Sequence, residues 1–382
     1  MILSQRLRRQ IAALNPADSP YKVDKGLFFT ALLLTMLGVI FMYSSSAFLA
    51  DYYKRDQFYF FKRQIVFVSA GLALMLFLAR YYESLRARVN AEHLLYAAWA
   101  ALAAVFLFKP IANVHRWIPL GPVQIQPSEF AKITLIIYIA DYLDKARSRV
   151  QKTGLALGRP FVMTAVTLLL IGAGRDLGTP ILLLAVVFLM FYAAGARFGS
   201  IAKWGLLSVP VIIYAVVSNP YRLTRLMTFM SPQKQASEAG YQLSQSFLAV
   251  GSGGWFGAGL GASKMKLMYL PAPHTDFIFA IMSEELGFLR MIPLIGLFGY
   301  LLARGIRTAK HADTFSGSMT ALGLILMIVI QAFFNMAMSL GLTPTKGVPL
   351  PFFSYGGSAA LSTLAMTGIL LCISMRRPAG AR

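Results

Sequence analysis

Ten apolar runs, each close to the length that crosses a bilayer as a helix, dominate this sequence and leave it few alternatives. About 20 apolar residues span the hydrocarbon core. The runs fall at 26–48, 63–80, 91–109, 127–143, 160–174, 178–195, 201–218, 275–300, 316–340 and 357–375. The run at 160–174 is short, and the run at 127–143 contains Glu129 and Lys132. A backbone inside lipid must satisfy its own hydrogen bonds, so runs of this length are helices. The expected fold is an all-α polytopic membrane protein of about ten transmembrane helices. Composition agrees: 13% of residues are charged, against about 25% in soluble domains.

The runs divide the chain into a tail at 1–25, a membrane domain at 26–375 and a tail at 376–382. The first run follows Arg6, Arg8, Arg9, Lys22 and Lys25. It is too long for the apolar part of a signal peptide and more spans follow, so it reads as a retained helix. Ten spans place both termini on one side. With that side cytoplasmic, its loops hold Arg80, Arg86, Arg88, Lys145, Arg147, Arg149, Lys152, Arg159, Arg197, Lys203, Arg304, Arg307, Lys310, Arg376 and Arg377, as the positive-inside rule requires. One large extracytoplasmic loop, 219–274, joins the seventh and eighth helices. Within it, Tyr241 to Val250 is amphipathic enough for a short interfacial helix.

The opposite face should be poor in cations and is not. Lys54, Arg55, Lys62, Arg63, Lys109, Arg116, Arg175, Arg222, Arg225, Lys234, Lys264, Lys266 and Lys346 all fall there. Singly, such residues snorkel to the interface. Together they suit an anionic ligand at the outer leaflet, because fixed cations stabilise phosphate charge. The formal net charge of +21 does not imply nucleic acid, since there is no soluble basic domain or basic tail to bind it. The single cysteine, Cys372, lies in the last apolar run, where it reads as filler.

Tyr269-Leu-Pro-Ala-Pro-His-Thr-Asp-Phe-Ile-Phe279 places Asp276 where the large loop enters the eighth run. An acid at that mouth is costly unless it is paired or faces a polar cavity. Two readings fit: a helix cap, or a general base reached from the outer leaflet, with His274 and Thr275 as neighbouring substrate contacts. Glu284 and Glu285 lie about 12 Å deeper on a continuous helix, and Glu284 is rotated by roughly 80°. Paired catalytic carboxylates stand about 5–10 Å apart across one bond, so both glutamates read as structural. One base suffices where the leaving group is a pyrophosphate, which needs cations rather than an acid.

Three further motifs carry polar groups. Arg116 to Lys132 contains Arg116 beside Trp117, and Glu129 with Lys132 on one helix face. That pair either lines a cavity or clips helices together. Gly341 to Gly357 is rich in Pro and Gly and offers Lys346, Ser354 and Tyr355 to a sugar or pyrophosphate. Phe58-Tyr-Phe-Phe-Lys-Arg-Gln64 offers Arg63 as a phosphate ligand, or reads as an aromatic belt. The glycines at 251–261 lack the lysine and Ser/Thr context of a phosphate loop.

These motifs, in this order from Tyr43-Ser-Ser-Ser to Ser358, resemble the SEDS family (shape, elongation, division and sporulation). Pro344-Thr-Lys-Gly347 and Val250-Gly-Ser-Gly-Gly-Trp255 look like its FtsW, or division, branch more than its RodA, or elongation, branch. The resemblance implies a peptidoglycan glycosyltransferase that polymerises lipid II at the periplasmic face of the inner membrane, at the division septum. It implies Asp276 as the essential aspartate and Glu129 with Lys132 as the family's charge pair. It also implies a class B penicillin-binding protein and other divisome proteins as partners, and a divalent cation, Mg2+ or Mn2+, with no organic cofactor. A lipid II transporter and a non-catalytic division scaffold are the alternatives. Two positions depart from the family pattern: Arg175 stands where proline is usual, and Arg290 follows Glu-Glu-Leu-Gly inside the eighth run.

Overall fold

Every one of the ten apolar runs is helical. The computed structural model describes residues 23–110, 114–121, 123–152, 154–218, 220–230 and 238–375. The tails expected at 1–25 and 376–382 lie almost wholly outside them, as does Lys234. The helices are α1 (Lys25–Lys54), α2 (Tyr59–Arg88), α3 (Ala91–Ala104), α4 (Pro127–Lys145), α5 (Gly158–Ala173), α6 (Gly178–Ala193) and α7 (Phe198–Val217). After them come α8 (Pro220–Met230) and α9 (Glu238–Gly253), then α10 (Ile278–Lys310), α11 (Phe315–Ser339) and α12 (Gly357–Ser374). Helices α8 and α9 belong to the segment expected to be the large loop. The second of them contains the amphipathic stretch at 241–250.

Helices α4 and α12 are buried along most of their length, and α11 packs between α4 and α10. Small residues let the backbones approach, as membrane bundles require. At Gly368 on α12, a Cβ would stand 2.5 Å from the carbonyl oxygen of Met75 on α2. At the end of the bundle remote from Asp276, Asp24 caps α1 by accepting from Leu27 N (2.9 Å) and pairs with Arg304 Nε (3.0 Å). Cys372 is buried, as filler should be.

Two features depart from a plain helical bundle. Ile118–Leu120 (β1) and Val123–Ile125 (β2) form a small antiparallel hairpin with Ile118 opposite Ile125. Gly121 after β1 adopts φ 65°, a turn conformation that glycine takes readily. The second departure is larger. The run read as one span from 275 is interrupted at Gly287, whose φ of 72° and ψ of 172° no helix contains. Residues 254–259 lie in that break. Ala258 N and Gly259 N donate to the carbonyls of Glu284 and Glu285 (2.9 and 3.0 Å). On the other side, Phe288 N and Leu289 N donate to the carbonyls of Gly254 and Trp255 (2.9 and 3.1 Å). The glycines at 251–261 therefore fill a broken helix rather than cradle phosphate.

The two glutamates fasten this arrangement. Glu284 accepts from Ser263 Oγ and from Lys264 N (2.9 Å). Glu285, fully buried, accepts from Ser44 Oγ on α1 (2.7 Å) and Lys266 Nζ (2.9 Å). They are structural, as the sequence suggested. Apart from Ser44, their partners lie in the irregular segment, so they hold that segment to the half-helix Ile278–Leu286. Arg290, just past the break, is exposed and forms no ion pair among the described residues.

Candidate active site

The polar residues around the start of α10 converge on one backbone stretch. Three consecutive carbonyls are each held from a different direction. His274 O accepts from Tyr355 N (2.8 Å), Thr275 O from Ser354 Oγ (2.6 Å), and Asp276 O from Asn335 Nδ2 on α11 (2.8 Å). Ser354 Oγ also accepts from Leu350 N (2.7 Å), and Thr275 Oγ1 donates to Ala272 O (2.9 Å). With its backbone fixed, the carboxylate of Asp276 is left without a hydrogen-bond partner among the described residues.

Asp276 is partly accessible, with protein on most sides. Burial pushes its carboxyl up to about 6, while the guanidiniums of Arg116 and Arg225 draw it down and Asp176 pushes it up further. Gly347 lies against it: a Cβ there would stand 3.2 Å from Asp276 Oδ2 and 3.8 Å from Arg116 Nη1. The absence of a side chain at 347 thus keeps one face of the carboxylate open.

Cations gather around this acid and the neighbouring Asp176, the three arginines held by backbone oxygen. Arg116 Nη2 donates to Arg175 O (2.6 Å), and Arg225 Nη1 to Thr345 O (3.2 Å). Arg222 donates to Ala215 O (2.8 Å) and Gly172 O (3.3 Å). Its own burial and the nearby Arg116 and Arg175 lower its affinity for a proton. Burial brings Lys346 down to about 8, with Asp176 opposing and Arg222 reinforcing the shift. The second acid, Asp176, is already engaged at the start of α6. It accepts from Gly178 N (3.0 Å) and from Thr179 Oγ1 (2.9 Å). Arg116 Nε, Asn335 Oδ1, Thr343 Oγ1, Thr345 Oγ1 and His274 Nδ1 are buried atoms without partners among the described residues. Such a concentration of unmet polar atoms belongs to a ligand site rather than a packed core.

The sequence candidates sort accordingly. Asp276, Arg116 and Lys346 share the site. Ser354 Oγ and Tyr355 N hold the carbonyls of Thr275 and His274, and Thr275 Oγ1 closes a turn on Ala272 O. Ser354 and His274 are buried. His274 stacks on Phe60 (4.7 Å), and burial lowers its imidazole to about 4, so it is neutral. Arg63 lies over the Tyr59 ring with Nη1 3.2 Å from its hydroxyl. Glu129 and Lys132 pair at 2.9 Å, with Gln331 and Ser362 as further partners. At 2% and 1% exposure the pair is enclosed between α4, α11 and α12, so it clips helices and does not line a cavity. Arg222 and Arg225 stood in the sequence only as members of the cation surplus. Asn335 was missed, although a lone amide in an apolar helix is itself a signal.

A bundle of ten apolar helices that holds a carboxylate among arginines at one end defines a polytopic membrane protein. Comparisons with known proteins place it further. The family model FTSW_RODA_SPOVE, described as cell cycle protein, matches residues 24–378. The chain is 39% identical to the "Probable peptidoglycan glycosyltransferase FtsW" of Trichlorobacter lovleyi, covering 92% of this chain and 93% of that one. It is 37% identical to the "Stage V sporulation protein E" of Bacillus subtilis, covering 92% and 96%. Among solved structures it is similar to Thermus thermophilus RodA, with a TM-score of 0.66 and 27% identity over 95% of this chain and 99% of that one. A chain in the structure described as "Structural coordination of polymerization and crosslinking by a peptidoglycan synthase complex" gives a TM-score of 0.74 at 27% identity, over 92% and 97%. The chain belongs to the FtsW/RodA/SpoVE family, the SEDS proteins.

Proposed function

We propose that this chain is a peptidoglycan glycosyltransferase that polymerises lipid II, with Asp276 as its general base. The observation that carries this is the Asp276 carboxylate, without a hydrogen-bond partner among the described residues, in the field of Arg116 and Arg225. A base whose carboxyl titrates near 6 is ionised at neutral pH, yet close enough to that pH to accept a proton effectively. The acceptor hydroxyl attacks the anomeric carbon of the donor sugar as the bond from that carbon to the pyrophosphate oxygen breaks. The hydroxyl proton passes to Asp276, and the lipid pyrophosphate leaves with its bonding electrons. Arg116, Arg225, Arg222 and Lys346 supply fixed positive charge for the group that becomes more negative. Arg63 and Tyr355, beyond the His274 stack, serve the sugars or the second lipid.

A divalent cation does not find a ready-made centre here. Among the described residues no three His, Cys, Asp or Glu side chains gather as ligands, and Asp176 is already engaged. Mg2+ or Mn2+ at this site would have one protein carboxylate, Asp276, and would draw the rest of its shell from substrate phosphates and water.

The proposed setting is the periplasmic face of the inner membrane at the septum. A class B penicillin-binding protein would crosslink the product strands, within a larger division assembly. Purified wild-type and Asp276→Asn proteins, each with that partner, test the reading on lipid II. Polymer from the wild type and none from the folded variant is expected. Equal polymer from both removes Asp276 as the base. In sealed vesicles, lipid II that changes leaflet without forming polymer favours a transporter.

A further inference from the structure

Asn335 sits on α11 with no exposure to solvent, and its amide spans two segments distant in sequence. Nδ2 donates to Asp276 O (2.8 Å) and also to Val348 O (2.7 Å). Both partners are carbonyl oxygens, so only the amide nitrogen can face them, and the assignment of nitrogen and oxygen is unambiguous. One segment carries the base. The other carries Lys346 and Gly347, and the open side of Gly347 faces Asp276 Oδ2. One side chain thus sets the spacing between base, cation and the gap through which a hydroxyl must approach.

The same face of α11 repeats the device one turn earlier. Gln331 Nε2 donates to Pro349 O (2.9 Å), while its Oε1 accepts from Lys132 Nζ (3.0 Å). Lys132 is itself paired with Glu129. Residues 331 and 335 lie four apart and so share a face. Together they pin consecutive carbonyls of the 348–349 segment to the buried centre of the bundle. Asn335 lies nearer the chemistry and alone reaches both segments.

We infer that Asn335 is a positioning residue of the transferase reaction, an amide clip that holds the Asp276 segment and the Lys346–Val348 segment in catalytic register. This rests on the reading of Asp276 as the base. Uniform binding of the lipid is left to the arginines, so loss of the clip acts on the chemical step. A base displaced by about 1 Å loses on the order of 100-fold in rate.

The test uses the full-length protein with its partner and two variants, Asn335→Ala and Asn335→Ser. The serine variant keeps a small polar group in the buried position should the alanine variant fold poorly. The expected result is a fall in kcat on the order of 100-fold per folded molecule with KM held within about twofold. Hydrogen exchange is expected to quicken at 274–278 and 345–349 together and to stay unchanged along α4. Unchanged kcat per folded molecule, or exchange that quickens in only one segment, overturns the inference. The exchange result does not depend on what Asp276 does. If Asp276→Asn keeps polymerising while Asn335→Ser loosens both segments, the base assignment fails and the clip stands.

Discussion

Replacing Asp276 by asparagine should abolish polymerisation and, at neutral pH, make the protein more stable. In the irregular segment before α10 the carboxyl moves from its ordinary 3.8 to about 6, chiefly through burial. That difference corresponds to about 3 kcal/mol against the ionised form. Partial access to solvent makes this an upper bound, so about 2 kcal/mol is a fair expectation. The sign follows from proton linkage. The folded state holds this proton more tightly than the unfolded state, so its contribution to stability is full below about pH 4 and is lost as pH rises through about 6. Asparagine has no charge to desolvate and escapes the loss. At pH 8 the variant should unfold a few degrees higher than the wild type, and the gap should close near pH 4. Thermal unfolding in nanodiscs at the two pH values measures this, and a lipid II polymerisation assay on the same samples measures activity. A variant that unfolds at or below the wild-type temperature at pH 8 refutes the claim that Asp276 is held ionised at a cost.

Three other outcomes follow from the same coordinates. The pH profile of kcat/KM should be bell-shaped, rising as Asp276 ionises near 6 and falling as Lys346 loses its proton near 8; Lys346→Arg should extend the alkaline limb, and a flat profile across that range contradicts both assignments. Gly347→Ala puts a methyl group 3.2 Å from Asp276 Oδ2, so kcat should fall at least about tenfold and the acid limb should move to higher pH, while thermal stability is retained. Lys266→Met strands the fully buried Glu285 and should cost about 3–5 kcal/mol; adding Glu285→Gln should restore most of the loss in thermal unfolding, and a double variant no better than the single one denies the pair.

The helices were legible because hydropathy accumulates along a run, and ten runs gave ten helices despite Glu129 and Lys132 in one of them. The break at Gly287 was not. The run at 275–300 reads as one apolar stretch, and the residues that fill the interruption, Gly254 to Gly259, lie in another segment. The catalytic candidate was legible because an acid at a helix mouth stands out. Its supports were less so. Ser354 and Tyr355 drew notice as groups able to touch a sugar, but their hydrogen bonds run inward to backbone carbonyls that no side-chain pattern encodes. Arg222 and Arg225 were visible only as excess charge, since the approach of Arg222 to Arg116 and Asp176, and of Arg225 to Asp276, depends on how α8 folds back. Arg175, unusual for the family, adopts φ 67°, a conformation closed to proline, and its carbonyl receives Arg116.

The break in α10 divides the helix into two mechanical parts. Beyond Gly287 the helix runs on to the Asp24–Arg304 pair at the far end. Before it, Ile278–Leu286 is bolted through Glu284 and Glu285 to the segment running from Gly254 to Lys266, and to Ser44 on α1. At its other end the backbone of 274–276 is clamped by Tyr355, Ser354 and Asn335. The base therefore stands on a short element anchored at both ends, rather than at the tip of one long rod.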